Sequence, residues 1–258
     1  MAIAKGQEAH LILLHVYSTT VGVAYPEGGV VVEFDFYEIK DARTNNINAL
    51  AKKISTEQAI DCQGFVVLGA VCPAIIKEAS QINANLIVMG THGASGLREF
   101  FIGSNAYSVL KNAPCSVLTV PPHHKWENFK KILFPVRPIA NALEKYCIAR
   151  NIICMNGAEL IVMGLLEKES THTFDTLYET STNLVDKIRE DNCSIVTTFF
   201  YCDSFAQKIL DQTKEFKADL VIITATLDYR IQDFFIGPFA QQVINHAQVP
   251  VLSIPPAS

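Results

Sequence analysis

The residue types best suited to chemistry fall in one stretch, Leu86-Ile-Val-Met-Gly-Thr-His-Gly-Ala-Ser-Gly-Leu-Arg-Glu-Phe-Phe-Ile-Gly-Ser-Asn105. Leu86 to Met89 reads as a buried strand, and Gly90, Gly93 and Gly96 make the following loop glycine-rich. Gly103-Ser104 then opens a helix. This order suits an anion, above all a phosphate. Glycine lets the backbone approach a ligand closely, and a helix N-terminus offers unpaired N–H groups with a partial positive charge. Ser104 can cap the helix or offer its hydroxyl to the same anion. The plainer alternative is a tight strand-to-helix connection that needs glycine only for its turn. Thr91, His92 and Arg98 add polar groups to the loop, where a solvent-facing histidine and a surface arginine are the commoner outcomes.

Other chemistry is thin. Seven cysteines (62, 72, 115, 147, 154, 193 and 202) contain no C-x-x-C pair, and most sit in apolar runs, as reduced core thiols of a cytoplasmic protein do. Cys147 and Cys154 are seven residues apart and could share a helix face, but no histidine accompanies them. His123-His124 beside Glu127 makes at most an adventitious metal site. There is no Walker lysine after the glycine loop, no Gly-x-Ser-x-Gly elbow and no carboxylate cluster with metal spacing. A net charge of −5 argues against nucleic acid as a partner. The start, Met1-Ala-Ile-Ala-Lys5, lacks the pattern of a secretory leader, and the apolar runs are far shorter than the ~20 residues of a membrane span.

The elements that must position the loop occur twice. Residues 86–122 align without a gap onto residues 220–256, with 12 of 37 positions identical. Phe100-Phe-Ile-Gly103 faces Phe234-Phe-Ile-Gly237, and Ser116-Val-Leu-Thr-Val-Pro-Pro122 faces Pro250-Val-Leu-Ser-Ile-Pro-Pro256. A 134-residue period indicates two tandem domains, 1–124 and 125–258, joined by the polar, proline-marked segment around Pro121 to Asn128. The second copy reads as strands at 131–136, 159–166, 194–201, 220–224 and 251–254. Helices at 139–155, 174–191, 204–216 and 239–246 alternate with them. Apolar residues at 139, 143, 146, 147 and 154 set the inward face of the first helix. Strands alternating with helices make a doubly wound parallel sheet. The first copy follows the same course, with strands at 11–16, 65–70, 86–89 and 116–120 and helices near 38–60, 73–82 and 105–112. Ile75, Ile76, Ala79 and Ile82 face inward on its 73–82 helix, and Pro73 suits a first helical turn. It has only nine residues before Leu11, where the second copy has about 28 before Glu159. Residues 1–9 match the end of a first helix, so the first copy lacks its opening strand. That points to a sequence start downstream of the true one.

The Gly-x2-Gly-x9-Gly-Ser spacing, the strand before it and the Ala113-Pro-Cys-Ser-Val-Leu-Thr-Val120 strand after it resemble the ATP-binding pattern of the universal stress protein family, in its tandem form. The resemblance implies a Rossmann-like five-stranded α/β fold of the adenine-nucleotide α-hydrolase type. It implies ATP as ligand, with Mg²⁺ held largely by the nucleotide. Carried over by position, the binding residues would be Val16 and Met89 lining the pocket, Gly90, His92, Gly93 and Gly103 along the ligand, and Ser104 and Asn105 at the phosphates. It also implies dimerisation through the last strand, so that 116–120 and 250–254 pair within one chain as a pseudo-dimer, with homo-oligomers beyond it. The second copy departs from the pattern: Arg137 stands where the family has an adenine-contacting Asp, Thr224 and Leu227 replace two glycines, and Pro238 replaces the serine. Proline removes both an N–H and a hydroxyl at the phosphate position.

The expected function is therefore a cytoplasmic stress-response protein with one adenine-nucleotide site in residues 1–122, acting through ligand-dependent conformation or partner binding, with hydrolysis slow at most. A nucleotide-free interaction protein of the same fold is the alternative. A ligase that adenylates its substrate would need an acidic or lysine group near Gly90, and none is there.

Overall fold

The structure is a computed structural model that describes residues 2–18, 36–91, 102–122, 124, 128–137, 142–155, 157–167, 174–224 and 238–255. The first copy supplies α1 (Ala2–Gly6), β1 (Leu11–Tyr17), α2 (Phe36–Gln58), β2 (Cys62–Leu68), α3 (Val71–Gln81), β3 (Leu86–Gly90), α4 (Ser104–Asn112) and β4 (Ser116–Val120). The second supplies β5 (Lys131–Val136), α5 (Ala142–Met155), β6 (Glu159–Leu166), α6 (Phe174–Glu190), β7 (Ser194–Tyr201), α7 (Phe205–Glu215), β8 (Leu220–Thr224), α8 (Pro238–His246) and β9 (Val251–Ile254). These fold into two compact units, residues 1–78 and 79–258.

The larger unit is built on a seven-stranded sheet in the order β3-β4-β9-β8-β5-β6-β7. Its β9-β8-β5-β6-β7 portion is all parallel and contains the whole second copy. In this portion the opening strand, β5, is central: β6 pairs with it on one edge and β8 on the other. Its residues are apolar on both faces because helices cover both, and Ile132, Leu133 and Phe134 are fully buried. The Asp219 carboxylate accepts the Lys130 N–H at 2.7 Å and so fixes where β5 begins beside β8. Ser204 caps α7 by accepting the Gln207 N–H at 3.3 Å. Gly164 of β6 has no room for a side chain, since a Cβ there would lie 2.3 Å from the Phe199 ring.

β4 and β9 join the two copies by antiparallel pairing, Val117 with Ser253, Leu118 with Leu252 and Thr119 with Val251. Leu118 and Leu252 are equivalent positions of the 134-residue repeat, so this register is two-fold symmetric about that pair. The Thr119 hydroxyl donates to the Val251 carbonyl at 3.2 Å.

The smaller unit holds a two-stranded parallel sheet, β1 with β2, from Leu11–Cys62 to Tyr17–Leu68. Gly64 of β2 lets α2 close on the sheet, because a Cβ there would sit 2.9 Å from the Ile47 side chain. Residues 2–9 form the last turn of a helix and a left-handed step into β1, with Glu8 at φ 48° where the second copy has Gly157 at φ 55°. The repeat recurs in the backbone elsewhere: Ala59 and Asn192, and Asn83 and Lys217, all lie at φ between 51° and 55°.

The doubly wound fold and its two halves agree with the sequence reading, and among the described residues the first copy shows no counterpart of β5. Three details differ. β2 begins at Cys62 rather than 65, so the strand takes in polar residues that precede its apolar run. α3 begins at Val71, and Ile82 lies beyond its end and is 46% exposed. The inward face of α5 is Ala142, Lys145, Tyr146, Ala149, Ile152 and Ile153, whereas Leu143 and Cys147 face solvent. The expected stripe was drawn through the apolar residues, and the helix instead turns a lysine inward.

Without a β5 counterpart, β1 and β3 each pair with one neighbour among the described residues. Burial follows pairing: Val88 of β3 is 57% exposed, whereas its repeat partner Ile222 in β8 is fully buried. Leaving one such side chain in water forgoes roughly 1.5–3 kcal/mol. Native-state hydrogen exchange checks this asymmetry. Amides on the unpaired edges of β1 and β3 should exchange about 100-fold faster than their counterparts in β6 and β8. Equal protection would contradict the one-sided pairing.

Candidate functional site

The glycine motif is built where β3 ends. Thr91 follows Gly90 and is 4% exposed. Its N–H donates to the Val120 carbonyl at 3.0 Å, and its own carbonyl accepts the Gly103 N–H at 2.7 Å. The strand's end and the helix's start are thereby tied together, although eleven residues separate Thr91 from Gly103 in sequence. Gly103 is the N-cap of α4, extended at φ −60° and ψ 148°, and among the described residues no side chain caps the helix. No acidic residue lies in its first turn. The first N–H groups of α4 therefore keep their partial positive charge next to the end of β3. Ser104 and Asn105 are the first two helical residues and both are exposed. The N-cap position is therefore Gly103 and not Ser104, which stands at the first helical position.

The second copy helps to hold this geometry. Asn245 of α8 accepts the Ile102 N–H through its Oδ1 at 2.8 Å, just before α4 begins. The repeat partner of Asn245 is Lys111, which lacks an equivalent acceptor.

Of the other expected site residues, Met89 and Gly90 are the last two residues of β3 and stand beside Thr91. Val16 is the penultimate residue of β1 and belongs to the smaller unit. His92, Gly93 and Arg98 lie outside the described residues, as do His123 and Glu127 of the linker. Among the described residues, no three His, Cys, Asp or Glu side chains are grouped to hold a metal ion, and no helix is long and apolar enough to cross a membrane.

At the equivalent place in the second copy the chemistry is different. β5 ends at Val136 and β8 at Thr224, and between their ends lies a cavity of about 20 Å³ lined by Pro135, Arg137, Lys145, Thr224 and Phe239. That volume, bounded by the described residues, has room for about one water. Arg137, where the family has an acid, stacks its guanidinium 5.0 Å from the Phe239 ring centre. Lys145 donates to the Pro135 carbonyl at 2.5 Å, and its ammonium lies 4.1 Å from the Phe134 ring centre. Burial, assisted by the charge of Arg137, lowers the Lys145 pKa to about 7. Burial also lowers that of Arg137.

The sequence reading missed Lys145. Its signal was present: Lys145 is three residues after Ala142 and adjacent to Tyr146, on the one face of α5 that a buried helix must present. Cys147 and Cys154 both lie on α5, where Cys147 is exposed and Cys154 meets Cys193.

The fold is a doubly wound α/β fold in which a strand, a loop and a helix start meet at the end of β3. The family model described as "Universal stress protein family" matches residues 1–121 and 194–255, and the chain belongs to that family. Universal stress protein YxiE of Bacillus subtilis is 29% identical over 123 residues, 46% of this chain and 83% of that protein. Universal stress protein MJ0531 of Methanocaldococcus jannaschii is 31% identical over 121 residues, 46% of this chain and 68% of that one. A crystal structure of a universal stress protein from Archaeoglobus fulgidus superposes with a TM-score of 0.75 over 98% of this chain and 92% of that one, at 18% identity.

The buried lysine gives a pH test. Between about pH 7 and 10.5 the unfolded chain holds a proton on Lys145 that the folded chain has released, so folding stability rises with pH across that window. Below pH 7 both states are protonated and the penalty is constant. In urea melts, Lys145→Met should be the more stable protein at pH 7 and should lack a wild-type slope of about 1 kcal/mol per pH unit. Identical slopes in the two proteins would refute the assignment.

Proposed function

We propose that the chain binds one adenine nucleotide, at the first copy only. By position in the family pattern, Met89, Gly90 and Gly103 would follow the ligand and Ser104 and Asn105 would take the phosphates, with Val16, His92 and Gly93 assigned to the site by sequence alone. The observation that carries the proposal is the uncapped N-terminus of α4 beside Gly90 and Gly103, set against Pro238 at the start of α8. ATP with its own Mg²⁺ fits such a site: backbone N–H groups and a hydroxyl neutralise phosphate oxygens, and the protein need supply no metal ligand. The second copy, with Arg137 and Lys145 in its cavity, serves as the partner domain of a pseudo-dimer through β4 and β9. Binding acts by favouring one conformation or partner over another, in the cytoplasm and without rapid hydrolysis.

A second reading, a nucleotide-free interaction protein, is favoured by the single-sided pairing of β1 and β3. A thermal-shift titration with ATP and Mg²⁺ separates the two. A Kd of about 10 μM gives roughly 2.7 kcal/mol of stabilisation at 1 mM ligand. Gly103→Val and Ser104→Pro should abolish the shift, Asn245→Ala should reduce it, and Gly237→Val should leave it unchanged. No shift in the wild-type protein would leave the interaction reading in its place.

A further inference from the structure

Cys154 and Cys193 are 39 residues apart, and the fold brings their sulfurs to 2.6 Å. Both are free thiols and both are partly exposed. A disulfide bond is about 2.05 Å long, and two cysteines can be bridged only when the backbone already holds them close. The backbone here is held on both sides. Cys154 lies in the last turn of α5, one helical turn beyond Arg150 and two beyond Tyr146. Cys193 lies between α6 and β7, in a turn set by the left-handed Asn192 at φ 55° and by its own N–H donating to the Ile188 carbonyl at 3.3 Å.

Asp191 connects the two elements. Its Oδ2 accepts from the Arg150 Nε at 2.6 Å and from the Tyr146 hydroxyl at 2.7 Å, and its Oδ1 accepts from the Arg150 Nη2 at 2.5 Å. The carboxylate is 4% exposed, and the Tyr146 ring is fully buried. A bidentate arginine pair fixes orientation as well as distance. Tyr146, Arg150 and Cys154 thus form one stripe of α5 that faces the Asp191–Cys193 turn.

We propose that Cys154 and Cys193 are a reversible disulfide site, oxidised by peroxide and reduced by a dithiol. One thiol gives its sulfur to hydrogen peroxide, forming a sulfenic acid and releasing water. The other sulfur displaces that hydroxyl as a second water, forming the S–S bond. Two thiols and one peroxide become one disulfide and two waters. A dithiol reductant reverses this by exchange and leaves as its own disulfide. Burial and the neighbouring sulfur push Cys193 up to about 11, so the reaction is slow at neutral pH and accelerates as pH rises. The groups facing the pair are Tyr146, Arg150 and Asp191. The bridge closes the loop that carries β6 and α6, and so makes the stability of the second copy depend on redox poise. The site does not rest on the nucleotide reading.

The test uses the full chain, treated with hydrogen peroxide, alkylated and mapped without reduction. A linked peptide pair containing Cys154 and Cys193 is expected, with Cys147, exposed on the same helix, still alkylated. Dithiothreitol should restore both thiols, Cys147→Ser should leave the linkage intact, and Cys193→Ser should abolish it. The oxidised wild-type protein should melt at least roughly 5 °C higher than the reduced one. Cys154 and Cys193 remaining as alkylatable as Cys147, or Cys154 linking indiscriminately to other cysteines, would overturn the proposal. The wild-type map alone decides it if a serine variant fails to fold.

Discussion

A strand inside a parallel sheet has two rows of backbone donors and acceptors, and both must be paired. In the second copy β5 meets this condition for its neighbours: β6 takes one of its edges and β8 the other. Burial on both faces follows, and so does the core of Ile132, Leu133, Phe134, Leu160 and Met163. Among the described residues, the first copy repeats the counterparts of β6 and β8 without a counterpart of β5. Its four strands therefore fall into two pairs, β1 with β2 and β3 with β4. The second of these pairs is held by the other copy, through β9.

The same contrast organises the chemistry. Both copies place a strand end against a helix start, and both keep Phe-Phe-Ile-Gly before that helix. One copy then presents glycine, serine and free helix donors. The other presents proline, an arginine stacked on Phe239 and a lysine whose charge burial disfavours. A common scaffold thus carries divergent residues at the two strand ends. Asn245 adds a direct link, since a side chain of the second copy positions the chain just before α4 of the first.

Much of this was legible in the sequence because the repeat can be read twice. Six of the nine strands have the expected bounds, since strongly apolar runs such as Leu133-Phe-Pro-Val and Leu160-Ile-Val-Met have no other stable place than a doubly covered sheet. The start of β2 was less legible, because Cys62-Gln-Gly carries no apolar run. The face of α5 is not legible for a physical reason: apolar residues alone do not mark the inside, since Lys145 is held inside by a carbonyl and a ring that only the fold brings near. The pairing of Cys154 with Cys193 is also a product of topology, since α5 and β7 meet only once β6 and α6 are in place. Of the site, the Gly90–Gly103 connection was visible as spacing, but the hydrogen bond through Thr91 and the hold from Asn245 were not.

The central claim is that two copies of one backbone carry one nucleotide site. Its most direct test is the stoichiometry of ATP binding to the full chain, measured by equilibrium titration with Mg²⁺ present. The account predicts one nucleotide per chain. Two per chain would mean that Pro238, Arg137 and Lys145 do not close the second site, and none would mean that the uncapped start of α4 is not a phosphate site.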